Sequence, residues 1–485
     1  MRVFTTKSVD HLIAASQAER LPRVLGPLHL IALGIGAIIG TGIFVLSGQA
    51  AAANAGPAIV LSMVIAGTTS ALAALCYAEL AASVPVAGSA YTYASATLGE
   101  LVAWIIGWDL ILEYALGAAT VAVGWSGNVV SLLADLGIHL PAAISAAPGT
   151  VIATGDGHTA TAVFNLPAVL ITVLVTWLLV RGVKHSATVN SIIVFVKVAI
   201  ILLVVATGLA FIKPAHYTPF IPANTGVFGQ FGWSGIVRGA AVIFFAYIGF
   251  DAVSTAAQEA RDPQRDMPRG ILGSLIVCTV LYIAVSAVMV GLVPYRELGG
   301  PAPMAVAVDA ARAAAAGGAW SGVMQAMSFL VKIGILAGLS STMVVQMMAQ
   351  PRIFMAMAHD GLLPGWAGRI HARHRTPHVA TLITGTIVAL AAGFTPIAVL
   401  GELVSIGTLL AFVIVSLGVL VLRRRQPGLA RPFRTPWVPV VPIASALVSL
   451  ALMASLPGTT WARLVIWMAI GVVVYFAYGA RRKRT

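Results

Sequence analysis

Along most of this chain apolar residues follow neither the 3.6-residue period of an amphipathic helix nor the alternation of a half-buried strand. They run in blocks of about 20, separated by short basic or Gly/Pro-rich stretches. As a helix, a block of that length crosses the roughly 30 Å hydrocarbon core of a bilayer. The pattern predicts about twelve spans, near residues 28–52, 57–82, 100–134, 164–181, 187–212, 234–257, 269–293, 321–356, 378–394, 397–422, 437–456 and 461–480. The expected class is an all-α polytopic membrane protein.

Between the spans, the longest connections are 135–163, 213–233 and 294–320, all on one side. Those on the other side are short and basic. ARDPQRDMPRG, residues 260–270, mixes both signs and carries two prolines, which reads as a tight solvated turn.

Two spans have soft centres. LHLIALGIGAIIGTGIFVLSG holds Gly34, Gly36, Gly40 and Gly42 in an otherwise apolar run, and AAVIFFAYIGFDAVSTAAQEA has Gly249 at its middle with Asp251 two residues on. Glycine is the residue most easily bent, and bilayer depth is where an unpaired amide is most costly. Three readings compete for the first stretch. Dinucleotide binding needs a strand before the glycines and an acid about 20 residues after them, and the first acid to follow them is Glu79. Small residues that let helices approach closely explain some of the glycines, but not why Gly40-Thr41-Gly42 fall together at mid-depth. Deliberate unwinding explains that grouping: a break frees N–H groups at the start of one half-helix and carbonyls at the end of the other. The two soft spans run in opposite directions, the pattern of an inverted-repeat transporter with its substrate at midplane. A zwitterionic amino acid presents a carboxylate and an ammonium on adjacent atoms and suits both ends of such a break.

Composition narrows the class further. Of 485 residues 59% are hydrophobic and 9% charged, against about 25% charged in an ordinary soluble domain. The formal net charge of +13 raises nucleic acid as a partner, but the positions of the charges exclude it. Of the 29 Lys and Arg, only Lys213, Arg238, Arg296, Arg312 and Arg463 fall on the side of the long connections. Lys197 and Lys332 lie within spans, and the rest lie on the other side, which predicts that both termini are cytoplasmic. Cys76 and Cys278 fall inside spans, and no Asn begins a glycosylation sequon. Both facts suit a bacterial inner membrane. The first 16 residues read as a cytoplasmic lead-in rather than a cleaved leader.

Four stretches in order carry a resemblance: IGAIIGTGIFVLSG, YAELAASVPVAGSAYTYASATLGE, VIFFAYIGFDAVSTAAQE and PRIFMAMAHDGLLP. Together they resemble the bacterial members of the cationic amino acid transporter branch of the amino acid, polyamine and organocation (APC) superfamily. The resemblance implies a LeuT-type fold, with five-helix inverted repeats over 28–212 and 234–422, an outer loop 213–233 between them, a basic cytoplasmic loop 423–436 and two helices over 437–480. Cytoplasmic segments 1–27 and 481–485 flank this core. It also implies a substrate carboxylate held near Gly40, by the N–H groups of Thr41 and Gly42, and an α-amine at the carbonyls of Ile38, Phe245, Ala246 and Ile248, with Phe245 as a gate. Lys197 matches the position where proton-coupled relatives carry a lysine in place of a sodium ion. Membrane lipids, and a small membrane subunit, are the further partners it admits; the coupling ion is a proton and no other cofactor is implied.

Lys197 lies near the middle of its span with no carboxylate within a turn. Half the hydrocarbon thickness is about 15 Å, too far for its stem to snorkel. An ammonium withdrawn from water releases its proton more readily, as a coupling group must. The competing reading is a structural ammonium tying spans 1, 5 and 8 together, and Ser340 and Ser341 are the hydroxyl partners expected for it. Glu113 stands one turn after Asp109 and is read either as a pocket residue beneath the substrate or as a carboxyl bonded to nearby backbone; the resemblance favours the pocket. Asp109 is unassigned. Lys332 is expected to snorkel outward, and Glu79 and Asp251 to pair with loop arginines as a gate. RIHARHRTPH, residues 369–378, has arginine between its histidines and reads as a lipid-facing basic loop, not a metal site.

The functional expectation is a proton-coupled amino acid symporter working by alternating access. An exchanger of the same fold is the alternative, and a non-transporting sensor a weaker one. The spans hold no metal-ligand set and no nucleophile beside a base, so an enzyme is not expected. Neutral substrates such as alanine and cationic ones such as arginine or lysine both stay open.

Overall fold

Backbone crossing a bilayer satisfies its own hydrogen bonds most simply as helix. Helices accordingly dominate the computed structural model, which describes Thr6 and residues 24–479 apart from 85, 87–88, 155–157, 183–186, 258, 372 and 375. In chain order the main helices are α1 (Pro27–Ile38), α2 (Ile59–Ser83), α3 (Glu100–Ile111), α4 (Gly117–Asp135), α5 (Leu166–Arg181), α6 (Ala187–Gly208) and α7 (Gly232–Ile243). They continue as α8 (Pro263–Leu292), α9 (Pro303–Ala314), α10 (Ser321–His359), α11 (His378–Phe394), α12 (Ile397–Arg425), α13 (Val440–Ser455) and α14 (Gly458–Val474). Among the described residues seven runs are long and apolar enough to cross a membrane: Gly42–Ser83, Glu100–Asp135, Ser191–Phe211, Pro263–Leu292, Ser321–His359, Ile397–Arg425 and Gly458–Gly479. Shorter apolar helices accompany them at Pro27–Ile38, Leu166–Arg181, Gly232–Tyr247, His378–Phe394 and Val440–Ser455. Most of segment 1–27, and all of the basic tail 481–485, lie outside the described residues.

Departures from the sequence reading have local causes. Residues 28–52 do not form one helix: α1 stops at Ile38, Ile39 is extended (φ −71°, ψ 103°), and helix resumes from Gly42. The turn expected at 260–270 is shorter, because α8 already begins at Pro263 and carries Pro268 inside it. Proline at a helix start loses nothing, since its missing N–H would have had no partner there. Residues 135–163 contain an antiparallel hairpin, β1 (Val151–Thr154) paired with β2 (His158–Thr161). Residues 294–320 contain α9, whose alanines and first-position proline favour helix.

Helices approach closely where side chains are small, as membrane interiors demand. A Cβ on Gly273 of α8 would come within 3.0 Å of Ile31 in α1, and one on Gly107 of α3 within 2.8 Å of Met357 in α10. Cys76 and Cys278 are free and buried.

Two polar networks tie the bundle together away from its centre. Glu79, 1% exposed, accepts from Arg423 at 2.9 and 2.7 Å and from the Thr435 N–H at 2.7 Å, with Arg431 at 3.5 Å. Glu79 thus pairs with arginines, as expected, though Arg423 belongs to the last turn of α12 and Arg431 alone to the loop beyond it. Lys332 does not snorkel. It is fully buried and its ammonium lies 2.5 Å from Asp135 at the end of α4 and 2.7 Å from Asp309 in α9, where Ser328 and Arg312 also converge. Two carboxylates brought to it within the bundle make the long reach to water unnecessary.

Removing one member of a buried pair strands the other charge, at a cost of about 3–5 kcal/mol, whereas half-exposed pairs contribute about 1 kcal/mol or less. The double variant Asp135→Asn/Asp309→Asn, which strands the fully buried Lys332 ammonium, is therefore expected to lower the melting temperature in detergent well beyond Arg312→Gln, whose side chain is 36% exposed. Equal losses in the two variants would refute that ranking.

Candidate functional site

The first break lies between Ile38 and Gly42. Because Ile39 is extended, the helix restarts with the Thr41 and Gly42 N–H groups at its open end, and the Phe44 N–H is bonded again, to Gly40 O at 3.3 Å. They form the positive end of the outgoing half-helix. The Thr41 hydroxyl is fully buried with no hydrogen-bond partner, beside Gly124 of α4, where a Cβ would come within 2.8 Å of Thr41 Cγ2.

The second break follows α7. A tight turn at Phe244–Tyr247 gives way to extended Ile248 (φ −64°, ψ 137°) and to Gly249 at φ +120°, a conformation that strains any side-chain-bearing residue. The two breaks cross in contact. Gly42 packs directly on Ala246, and a Cβ on Gly249 would sit 2.7 Å from the Ala37 carbonyl carbon. Residues before one break thus meet residues after the other.

At this crossing Gly40, Thr41, Gly42, Phe245, Ala246 and Ile248 come together, all buried. The carbonyls are less free than the resemblance implies. Ile38 O accepts from the Tyr282 hydroxyl of α8 at 2.7 Å, and Phe245 O accepts from the Ile248 N–H at 3.1 Å. Each carbonyl has a second lone pair, and that is what remains for an amine.

Lys197 reaches the same crossing from α6. Its ammonium donates to Gly36 O (2.8 Å), Ile39 O (3.0 Å) and Thr342 Oγ1 (2.8 Å), so each of its three hydrogens has an acceptor. The hydroxyl partner is Thr342, not Ser340 or Ser341. Helical spacing explains the difference: Gly338 and Thr342, four apart on α10, share the face that receives Lys197, with the Gly338 Cβ position 3.4 Å from Lys197 Cε. Ser340 donates to Leu336 O and accepts from Trp125, and Ser341 donates to Gly338 O.

Glu113 sits in a π-helical turn, Leu112–Leu116, joining α3 to α4. It is 2% exposed, beside Thr408 of α12, with the carboxyls of Asp109 and Asp251 as neighbours. Asp109 Oδ1 is buried without a partner and faces Gly407. Asp251 accepts from Tyr114 at 2.9 Å and from the Gly249 N–H at 3.3 Å. It thereby links the second break to the turn that carries Glu113.

Sequence reasoning missed Thr342, Tyr282, Tyr114 and Gln346. Gln346 is one turn beyond Thr342, and its buried, unpartnered Oε1 stands 3.2 Å from the Cβ position of Gly117. Buried polar atoms are nearly always paired, so Thr41 Oγ1 and Gln346 Oε1 mark surfaces suited to a polar ligand. The signal for Thr342 and Gln346 was their i, i+4, i+8 spacing from Gly338, legible only once Lys197 is known to lie against that face.

Known proteins match this chain along nearly its whole length. The amino acid permease family matches residues 25–476. A methylthioribose transporter of Bacillus subtilis is 45% identical over 99% of this chain and 98% of its own, and the branched-chain amino acid permease BcaP of the same organism is 45% identical over the same shares. A vacuolar cationic amino acid transporter of Arabidopsis thaliana is 38% identical over 87% of this chain and 67% of its own. These relatives are transporters rather than enzymes. The chain is a multi-pass protein of the cell membrane and belongs to the amino acid permease family of the APC superfamily.

Proposed function

We propose that this permease imports an L-amino acid together with a proton by alternating access around the crossing of its two interrupted helices. The carrying observation is that crossing, Gly42 on Ala246 and Gly249 on Ala37, where free amides and partly free carbonyls lie side by side. A carboxylate at the Thr41 and Gly42 amides and an ammonium at the carbonyls of Ile38, Ala246 and Ile248 would bind one zwitterion. The arrangement supports a LeuT-type fold, with 28–212 and 234–422 as inverted repeats and 437–480 as two further helices. The charge bias supports cytoplasmic termini.

Lys197 is the proposed coupling group. A charged amine needs three acceptors and has them in Gly36, Ile39 and Thr342. A neutral amine offers a lone pair, and the Thr342 hydroxyl can turn to donate to it, since a hydroxyl both donates and accepts. Both protonation states are thus accommodated at the carbonyl end of the first break. Proton loss would loosen that end, linking it to substrate release.

The two Bacillus relatives are equally similar and differ in named cargo, so overall identity does not choose between them. The break favours a zwitterion over a sugar. Of the relatives named for amino acid cargo, the branched-chain permease is 45% identical over nearly its full length and the plant cationic transporter 38% over two thirds of its own, which favours an aliphatic side chain over a cationic one.

The deciding measurement is uptake of labelled valine, alanine, arginine, lysine and methylthioribose into liposomes, with and without an inward proton gradient and without sodium. Gradient-stimulated uptake led by valine is expected. Uptake that needs preloaded amino acid and ignores the gradient would make the protein an exchanger, and methylthioribose as sole cargo would overturn the zwitterion site. Lys197→Ala should abolish accumulation above equilibrium, and normal uphill uptake in that variant would remove the coupling role. In Glu113→Gln the ranking of valine, alanine and arginine should change; an unchanged ranking would leave Glu113 without a part in selectivity.

A further inference from the structure

We propose that Ser405 of α12 is a positioning residue for the substrate site, its hydroxyl setting the backbone turn at Phe245. The inference rests on reading the second break as part of that site. Ser405 is fully buried, accepts from the Phe245 N–H at 3.1 Å and donates to Val242 O at 3.1 Å. Those two backbone groups lie three residues apart, where α7 ends at Ile243 and the tighter turn begins. A serine hydroxyl performs both tasks with one oxygen, and alanine performs neither.

The same helix face grips the break a second time. Seven residues on, two turns along α12, Phe412 packs edge-on against Phe244 at 5.3 Å and at a tilt against Phe250 at 5.2 Å. Between these points Thr408, three residues after Ser405 on the same face, lies beside Glu113. One stripe of α12 thus touches both sides of the proposed site.

Without the hydroxyl, Val242 O and the Phe245 N–H would be buried and unpaired, and the backbone relieves that by closing its own helical ladder across the break. Continuing the helix would rotate Phe245 and swing Ala246 and Ile248 out of register with Gly42. Ser405 therefore acts on substrate through Phe245, without touching it.

The test compares wild type, Ser405→Cys and Ser405→Ala for KM and maximal rate of L-valine and L-arginine uptake in liposomes, after size-exclusion chromatography confirms folded protein. Cysteine keeps the shape but bonds weakly, so the expected order of KM is Ser below Cys below Ala, with about a tenfold rise for Ala and a maximal rate within twofold of wild type. Wild-type KM in both variants would overturn the proposal. If the alanine variant does not fold, the cysteine variant decides alone: a raised KM supports positioning and an unchanged KM overturns it. Wild-type protein that carries neither amino acid would overturn the underlying reading of the site, whereas normal wild-type uptake with unaffected variants would overturn only the role of Ser405.

Discussion

Everything at the centre of this molecule follows from the penalty on unpaired backbone polar groups away from water. Two helices are interrupted in the interior, and each interruption exposes amides and carbonyls that a continuous helix would have paired. The carbonyl end of the first break is met from three directions, by Lys197 of α6, Tyr282 of α8 and Thr342 of α10. Four helices are therefore held in register by a few carbonyl oxygens. The amide end is treated differently. It is left to Thr41, whose own hydroxyl is unpaired, so the two ends of one break differ in how much the protein itself satisfies them.

That asymmetry gives the site direction. The carbonyl end is closed by side-chain donors from three helices, and the amide end, left unmatched, is the one our proposal gives to the substrate carboxylate. The second break adds a complementary surface, because Gly249 and Gly42 let two backbones touch where any side chain would hold them apart. Glycine at these places serves two ends at once, local unwinding and close crossing, which the sequence alone had offered as rival explanations.

Much of the architecture was legible in the sequence because bilayer depth enforces a length on every apolar block. α11 spans His378–Phe394, matching the predicted 378–394, and α5 ends at Arg181 as expected. The breaks were legible too, since glycines cluster where helix stops. What escaped detection was polar and long-range. Thr342 and Gln346 are unremarkable members of a helix until Lys197 is packed against Gly338, and Ser405 bonds to residues 160 positions away. Lys332 was misjudged because its carboxylate partners come from α4 and from α9, an element read as loop. Single-sequence patterning sees neighbours along a helix and is blind to partners across the bundle.

The Lys332 cluster carries a mechanical consequence. Its ammonium is a single point shared by a carboxylate on α4 and another on α9, while α9 itself is a short helix set between the long helices α8 and α10. Arg312 of α9 reaches Asp135 as well, and Met304, Ala307 and Val308 are buried, so α9 is pinned to α4 at two points and cannot lift clear without stranding the Lys332 charge in the bundle.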